Sequence, residues 1–447
     1  MIVWISQSLS VIGSALTYFA ITIWLTQTVF PHPEQKPALA GAIAAMSLVY
    51  ALPAVFLAPL AGAWADRHDR RRTMMAMDAL SGCLSLLLAA LLFTGALHLW
   101  MLIPLIFLHA LVGSFHFASF DTCYATLVPE DRLPRANGMM QSVWALSGIL
   151  SPVIAATLIA LPTLARQGGL SGILGQWLRY FHDGTSLAIT FDAVTFFLAS
   201  LVLLFLVIPS PQRADLYLED GAKKSILADM KEGALYIWHR RPLLWLLGTF
   251  AVINLAGAPL GVLYPLIVKF NLQPDWGARG MSYAAALALL TSVSGFGGLT
   301  GGIFITFWHG LQRKRIYGVL GGMLIGGIGI IFFGLAPGLT FAAAAVFVAN
   351  AMGPITNSYS QAIWQAQTPR ELQGRVFSVR RLIAQCTMPL GSALAGIFAG
   401  LYNPGYVVVG LGLLIVIFTL AQFFNPHLRR VEDKQWLEGL AEKAAVG

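Results

Sequence analysis

The amino-acid sequence predicts an all-α membrane protein with about twelve spanning helices in two repeated halves. Of its 447 residues, 57% are apolar and only 11% are charged, and the mean hydropathy is +0.72. These values exclude an ordinary soluble domain. The chain also divides into apolar stretches of about twenty residues, the length at which a helix crosses a bilayer. A short motif after the fourth stretch recurs after the tenth, which indicates an internal repeat.

The spanning segments follow one another along the whole chain. We place them near 1–29, 38–64, 73–95, 100–126, 136–162, 186–208, 243–270, 280–308, 316–336, 338–366, 375–402 and 404–424. Apolar residues at helical spacing in the hydrophilic connector favour an amphipathic helix at the membrane surface. The predicted organisation is an N-terminal six-helix bundle, a connector, a C-terminal six-helix bundle and a tail, at 1–208, 209–242, 243–424 and 425–447.

Charge and cysteine usage exclude several classes of function. Of the 28 Lys and Arg residues, 23 fall in the loops on the side that holds Asp66, so we predict that both termini and the connector are cytoplasmic. The net charge of +8 does not indicate a nucleic-acid partner, because the basic residues occupy short loops. The cysteines show no metal-ligand spacing, and no G-x-x-x-x-G-K-[ST] loop occurs. We therefore expect no metal, no cofactor, no ATP-driven transport and no enzymatic activity.

A charged loop joins the second and third segments, with the pattern G-x-x-x-D-R-x-x-R-R-R starting at Gly62. A small residue allows two helices to approach closely, and an acid among arginines can hold a neighbouring helix end or acid in one conformation. An acid in the fourth segment must be paired, hydrated or protonated. We call the following set the latch residues: Gly62, Asp66, Arg67, Arg70, Arg71 and Asp121. The alternative is a loop that only fixes topology.

The loop pattern resembles the one between helices two and three of the major facilitator superfamily, with Asp69 where that family commonly has glycine. The repeat P-x-[DE]-x-x-x-R at 129–135 and 369–375 fits the two parallel six-helix halves of that fold. A weakened form of the antiporter signature G-P-x-x-G-G lies in segment five, at Gly148, Ser151, Pro152 and Ala155. The resemblance implies the major facilitator fold, the macrolide and siderophore efflux branch, and pairing of Arg70 with Asp121. Plain helix packing is the alternative for segment five.

Polar residues inside the spans are candidates for the substrate cavity. Asn350, Asn357 and Gln361 fall within about 20° of one line on helix ten. Ser10 and Thr17 lie on a similar line of helix one. For helix ten we favour a cavity wall, because amides are costly to bury without partners. For helix one, a cavity wall and interhelical hydrogen bonding both stay open.

Three residues are candidate proton carriers. Asp121 is one, although the resemblance favours a structural pairing for it. His109 stands where some drug–proton antiporters have the arginine of an R-x-x-x-G motif, and an imidazole can carry a proton near neutral pH. A hydrogen-bonded packing role is the alternative for His109. Asp192 resembles an acid common in this branch of exporters.

The function expected from these observations is export of amphiphilic small molecules, such as drugs, macrolides or siderophore-like metabolites. We expect a monomeric proton-coupled antiporter that works by alternating access in the lipid bilayer of the cell membrane. An importer or facilitator on the same fold, or a transport-inactive sensor or assembly partner, are the alternatives. Neither the substrate nor a role for the external stretch 163–183 follows from the sequence.

Overall fold

Long apolar runs form the helices of this protein, as their composition requires in a membrane. The computed structural model describes residues 2–127, 133–181, 183–206, 208, 226–308, 310–311, 313–433 and 436. Within these ranges twelve helices are long and apolar enough to cross a membrane, and no strand occurs. Helices one to twelve cover Ile2–Val29, Pro33–Phe56, Arg70–Phe93, Leu99–Cys123, Met139–Arg166, Thr185–Leu204, Arg241–Phe270, Tyr283–Trp308, Arg315–Gly334, Leu339–Gln367, Leu372–Leu401 and Pro404–Phe423. The predicted fold class is confirmed.

Prolines explain where the helices depart from the predicted segments. The second segment was expected to run to residue 64, but helix two ends at Phe56 and a separate helix, Ala58–Arg67, follows it. Pro59 has no amide hydrogen to donate to the carbonyl four residues earlier, so the backbone breaks beside it. Helix seven consists of Arg241–Gly257 and Leu260–Phe270, and Pro259 lies at that break.

The chain divides into two compact units, and helix eight is divided between them. Unit 1 contains helices one to six, and unit 2 contains helix seven and helices nine to twelve. Unit 1 comprises Met1–Ala222 and Trp276–Ser292, and unit 2 comprises Lys223–Asp275 and Val293–Gly447. In unit 1, helix one packs on helices five and six, and helix three packs on helices four and six. In unit 2, helix seven packs on eleven and twelve, and helix nine on ten and twelve. The same pairs thus recur six helices later, as an internal repeat requires.

The connector forms a helix at Ile226–Trp238 that packs on helix eleven within unit 2. Its Tyr236 hydroxyl donates to the Gln367 carbonyl at 2.6 Å, and Glu232 forms an ion pair with Arg375. A Cβ at Gly233 would lie 2.6 Å from the Arg375 carbonyl oxygen, so glycine is needed for this contact. Residues 209–225 of the connector lie outside the described ranges, as do 129–132 of the first repeat motif.

Candidate functional site

The loop between helices two and three is held by its own polar side chains. Asp69 caps helix three, because its Oδ1 accepts a hydrogen bond from the Arg72 backbone nitrogen at 2.9 Å. Arg71 reaches the end of helix six, where Nε donates to the Leu203 carbonyl at 2.8 Å and Nη2 to the Leu204 carbonyl at 2.5 Å. A cation is favourable at a helix C-terminus. Asp69, which departs from the family pattern, therefore has a structural role here.

The other latch residues occupy different environments. Arg70 is buried at the start of helix three, whereas Arg67 and Asp121 are exposed. A Cβ at Gly62 would meet no described atom within 4 Å, so the described residues make no close helix approach at that glycine. The side chain of Asp66 lies outside the described part of the structure. The latch stays a prediction.

Three buried polar side chains from helices one, three and four meet inside unit 1, and we call them the Asp78 cluster. Asp78 is 0% exposed, and Gln7 and His116 are 2% and 8% exposed. Gln7 Nε2 donates to Asp78 Oδ2 at 3.2 Å. His116 Nε2 forms a hydrogen bond with Gln7 Oε1 at 2.7 Å. The same nitrogen lies 3.1 Å from Asp78 Oδ1 as a charge contact, and that oxygen has no hydrogen-bond partner among the described residues. Ser10 is buried one turn further along helix one, and its hydroxyl donates to the Gln7 carbonyl at 2.9 Å.

Asp78 was missed in the sequence analysis. Its position within the apolar segment 73–95 could have identified it, because an acid within a membrane helix requires a partner or a function. Its partners come from two other helices, at sequence separations that no local pattern reveals.

A second buried carboxylate, Asp192 on helix six, is bound by hydroxyl groups. Its Oδ2 accepts hydrogen bonds from Thr17 Oγ1 at 2.7 Å and from Ser85 Oγ at 3.0 Å. Its Oδ1 is buried and has no hydrogen-bond partner among the described residues. A Cβ at Gly13 would lie 2.5 Å from that oxygen, so helices one and six approach closely here. Thr17, predicted to line the substrate cavity, thus hydrogen-bonds to a neighbouring helix.

A small cavity lies between helices one to four, and two of its lining residues, Thr17 and Ser85, bind Asp192. Its volume is about 40 Å³, and its lining includes Thr17, Tyr50, Ser85 and His109. His109 Nε2 is buried with no hydrogen-bond partner in the described ranges. Such a volume admits one or two water molecules but not a drug-sized substrate. His109 therefore lies at the same cavity as the two hydroxyls that bind Asp192. His109 and Asp192 were both predicted as candidate proton carriers.

The helix-five motif contacts helix one through its serine. Ser151, which replaces the first glycine of the antiporter signature, is fully buried and donates to the Ile12 carbonyl at 2.8 Å. Pro152 and Ala155 are also buried. Gly148 is exposed, and a Cβ there would meet no described atom within 4 Å. The contacts of this motif are packing contacts, and its role in antiport stays a prediction.

The polar stripe of helix ten has three different environments. Asn350 Nδ2 donates to its own helix at 2.8 Å and to the Tyr264 hydroxyl at 3.3 Å. Asn357 is exposed. Gln361 Oε1 accepts a hydrogen bond from Arg380 Nη1 at 2.6 Å. Interhelical hydrogen bonds therefore account for the amides of Asn350 and Gln361 inside the span in this conformation. The amide of Asn357 is exposed.

Arg380 lies inside helix eleven, although the sequence analysis counted it among the loop cations. Its Nη2 donates to Ser360 Oγ at 3.2 Å, and its guanidinium carbon lies 5.2 Å from the Trp364 ring centroid. Hydrogen bonds and the aromatic face compensate the charge within the span. The spanning helix that contains it begins at Leu372, earlier than the predicted residue 375.

Comparisons with known proteins agree with this architecture. A sequence profile described as the Major Facilitator Superfamily matches residues 3–385. Macrolide efflux protein A of Streptococcus pyogenes is 26% identical over 441 residues, which cover 97% of each chain. The multidrug efflux pump Tap of Mycobacterium tuberculosis (strain CDC 1551 / Oshkosh) is 25% identical over 422 residues, which cover 89% of this chain and 88% of that protein.

Solved transporters share the fold at lower identity. A bacterial homologue of the human lysosomal transporter Spinster, inward-facing and unoccupied, has a TM-score of 0.64 at 17% identity and covers 99% of this chain and 95% of its own. A POT family transporter has a TM-score of 0.66 at 12% identity and covers 96% of both chains. These likenesses concern the fold alone. Together with the profile match over most of the sequence, they confirm the resemblance predicted from the loop and helix-five motifs: this chain belongs to the major facilitator superfamily of membrane transporters.

Proposed function

We propose that the protein is a secondary active exporter that exchanges protons for amphiphilic small molecules of the macrolide or multidrug kind. The observation that carries this proposal is the end-to-end similarity to efflux proteins, which covers 97% of this chain for macrolide efflux protein A. Two fully buried carboxylates, Asp78 and Asp192, support proton coupling, because acids inside a membrane commonly belong to ion pathways. The protein works by alternating access as a monomer in the cell membrane, with both termini cytoplasmic.

The energy for export comes from an ion gradient in this proposal. The sequence contains no phosphate-binding loop of the G-x-x-x-x-G-K-[ST] type. One charge that moves through about 100 mV supplies about 2.3 kcal/mol, enough for roughly fifty-fold accumulation. His109 and Asp192 are candidate carriers, since His109 lines the small cavity of unit 1 and Asp192 binds the lining hydroxyls of Thr17 and Ser85. Asp121 stays a third candidate.

The substrate path follows helix ten in this proposal, along Asn350, Asn357 and Gln361. The exposed amide of Asn357 can bind a polar group of a substrate directly. The Gln361 amide accepts a hydrogen bond from the Arg380 guanidinium, and the Asn350 amide donates one to the Tyr264 hydroxyl. Both bonds reach neighbouring helices and must rearrange before either amide contacts a ligand.

Purified protein in liposomes tests the function, with erythromycin and ethidium as probes. We expect both probes to accumulate inside vesicles with an acidic interior, and a protonophore to abolish the accumulation. Probe movement that does not depend on the pH gradient would indicate a facilitator. Accumulation in vesicles with an alkaline interior would indicate an importer. No movement of any compound from a chemically diverse panel would favour a sensor or assembly partner. Empty liposomes provide the control for passive partition.

A further inference from the structure

The Asp78 cluster differs from the other polar contacts of unit 1 because a carboxylate touches an imidazole. A fully buried carboxylate is costly unless a positive or hydrogen-bonding partner compensates it. Asp192 is compensated by two hydroxyls, whereas Asp78 is compensated by Gln7 and by His116, whose Nε2 lies 3.1 Å from Oδ1. Histidine is the side chain that ordinarily takes up and releases a proton near neutral pH.

The geometry of the cluster limits what it can bind. The three side chains form a closed ring of direct contacts of 2.7, 3.1 and 3.2 Å. The 40 Å³ cavity in the same unit is lined by other residues. No drug-sized molecule fits between side chains that already touch. A proton is the one ligand that can be added or removed without separating the helices.

We infer that the Asp78–His116 pair, closed by Gln7, binds the coupling proton, an inference that rests on the proposed function and names its proton site. With the proton bound, the pair consists of a carboxylate and an imidazolium and is neutral. After release of that proton to water, the pair carries one net negative charge. An uncompensated charge within a membrane costs more than a neutral pair, so the closed ring retains the proton until water reaches it.

Proton release is linked to helix movement because helices one, three and four each supply one member of the ring. Loss of the imidazolium charge removes the attraction between helices three and four at this position. Conversely, a movement that separates the helices admits water and favours release. Thermodynamic linkage makes the two effects reciprocal.

No other base contacts Asp78 among the described residues. Other titratable side chains with described positions lie on the helices packed around the pair. They are Tyr18 on helix one, Glu34, Lys36 and Tyr50 on helix two, Arg67 on the short helix Ala58–Arg67, Arg70, Arg71, Arg72 and Cys83 on helix three, His109, Asp121 and Cys123 on helix four, Arg166 on helix five and Asp192 on helix six. Arg71 binds the carbonyls at the end of helix six, and Asp192 binds its two hydroxyls. His116 is thus the basic side chain in contact with Asp78 among the described residues.

Infrared difference spectroscopy of the purified protein between two pH values tests proton binding without any substrate. We expect carboxylate and imidazole difference bands that disappear in Asp78→Asn and in His116→Gln. Ser81→Ala is the matched control, because Ser81 is a buried residue one turn along helix three, and its spectrum should equal that of the parent. Identical difference spectra in parent and both pair variants would overturn the inference. Two separate pair variants keep the test decisive if one fails to fold.

Transport in liposomes tests coupling. A gradient of one pH unit supports about tenfold accumulation per exchanged proton. We expect the pair variants to lose the erythromycin accumulation driven by this gradient while they retain counterflow exchange of labelled erythromycin. Pair variants that accumulate erythromycin like the parent would refute the coupling role, even with altered spectra. A parent that moves no probe would instead refute the proposed function, and the infrared result would still decide whether the pair binds a proton.

Discussion

Thr387 on helix eleven donates its hydroxyl hydrogen to the Ala251 carbonyl on helix seven at 3.0 Å. Ser147 on helix five makes the same contact with the Val11 carbonyl on helix one at 3.4 Å. Each residue of the first pair stands 240 positions after its counterpart in the second. The internal repeat therefore extends from the loop motifs to individual contacts between helices, and these hydroxyls join helix one to five and helix seven to eleven.

The Thr387 contact should contribute measurably to stability. Thr387→Val keeps the side-chain shape but removes the donor, and we expect a loss of about 0.6 to 1.7 kcal/mol, the range for hydrogen bonds between membrane helices. The measurement is the unfolding temperature in detergent. Thr300→Val is the control, since the Thr300 hydroxyl bonds to its own helix at 2.9 Å. Equal shifts for both variants would show that the interhelical bond adds nothing.

Gly13 allows helices one and six to meet beside Asp192. A Cβ at this position would lie 2.5 Å from Asp192 Oδ1, so Gly13→Ala must displace the carboxylate or the helix. We expect a loss of about 1–3 kcal/mol in stability, as for other overpacked sites. Gly113→Ala on helix four is the control, because a Cβ there meets no described atom within 4 Å. A Gly13→Ala protein as stable as the control would contradict the close approach.

Helix positions were predictable from the sequence because apolar length and the bilayer determine them directly. The break beside Pro59 could have been predicted from the missing amide hydrogen, although the apolar run continued through it. The repeat was visible in the loop motif at 129–135 and 369–375. The hydroxyl contacts of Ser147 and Thr387 were not visible, since serine and threonine occur widely in membrane helices.

The interior of the candidate site was harder to predict because its residues meet only after folding. Gln7, Asp78 and His116 lie on three helices and are joined by no local spacing. Arg380 was counted as a loop cation because Lys and Arg usually mark the ends of spans. Its acceptor, Gln361, compensates the charge from helix ten, 19 residues earlier in the chain.

The predicted orientation places Ser210 in the cytoplasm and Gln167 outside the cell, because 23 of the 28 basic residues lie on the Ser210 side. In a background without Cys83, Cys123 and Cys386, a single cysteine at Gln167 should react with an impermeant thiol reagent in intact cells. A single cysteine at Ser210 should react only after the membrane is made permeable. Labelling of Ser210→Cys in intact cells would reverse the orientation.

Substitutions on helix ten should alter which compounds are exported. We expect Asn357→Leu, Asn350→Leu and Gln361→Leu each to shift the relative export of erythromycin and ethidium by about fivefold, or about 1 kcal/mol. Expression should be normal, because leucine is well tolerated in a membrane helix. Gln365→Leu, at an exposed position further round the helix, is the control. An unchanged profile in all three variants would mean that the stripe serves only packing.

Asp66 and Arg70 should control the rate of conformational exchange rather than substrate affinity. In the outward-facing state we expect Asp66 to cap the N-terminal end of helix eleven and Arg70 to pair with Asp121. Asp66→Asn removes the charge but keeps the shape, and Arg70→Ala removes the partner of Asp121. Both variants should lower transport about tenfold while substrate binding changes little, because the loop is predicted to set the rate of conformational exchange and contains none of the predicted cavity residues. Arg72→Ala is the control, since that side chain is 86% exposed and its ion pair with Asp69 is 3.9 Å long.

Asp121→Asn separates the structural role of Asp121 from proton carriage. If Asp121 only pairs with Arg70, the variant should exchange substrate slowly but still accumulate it in response to a pH gradient. If Asp121 carries the proton, the variant should retain exchange and lose the pH-driven accumulation. We expect the first result, because the Asp78–His116 pair is the proposed proton site and Asp121 is exposed. Binding of a labelled substrate to purified Asp66→Asn completes the test: a collapse of affinity with normal turnover would refute the latch.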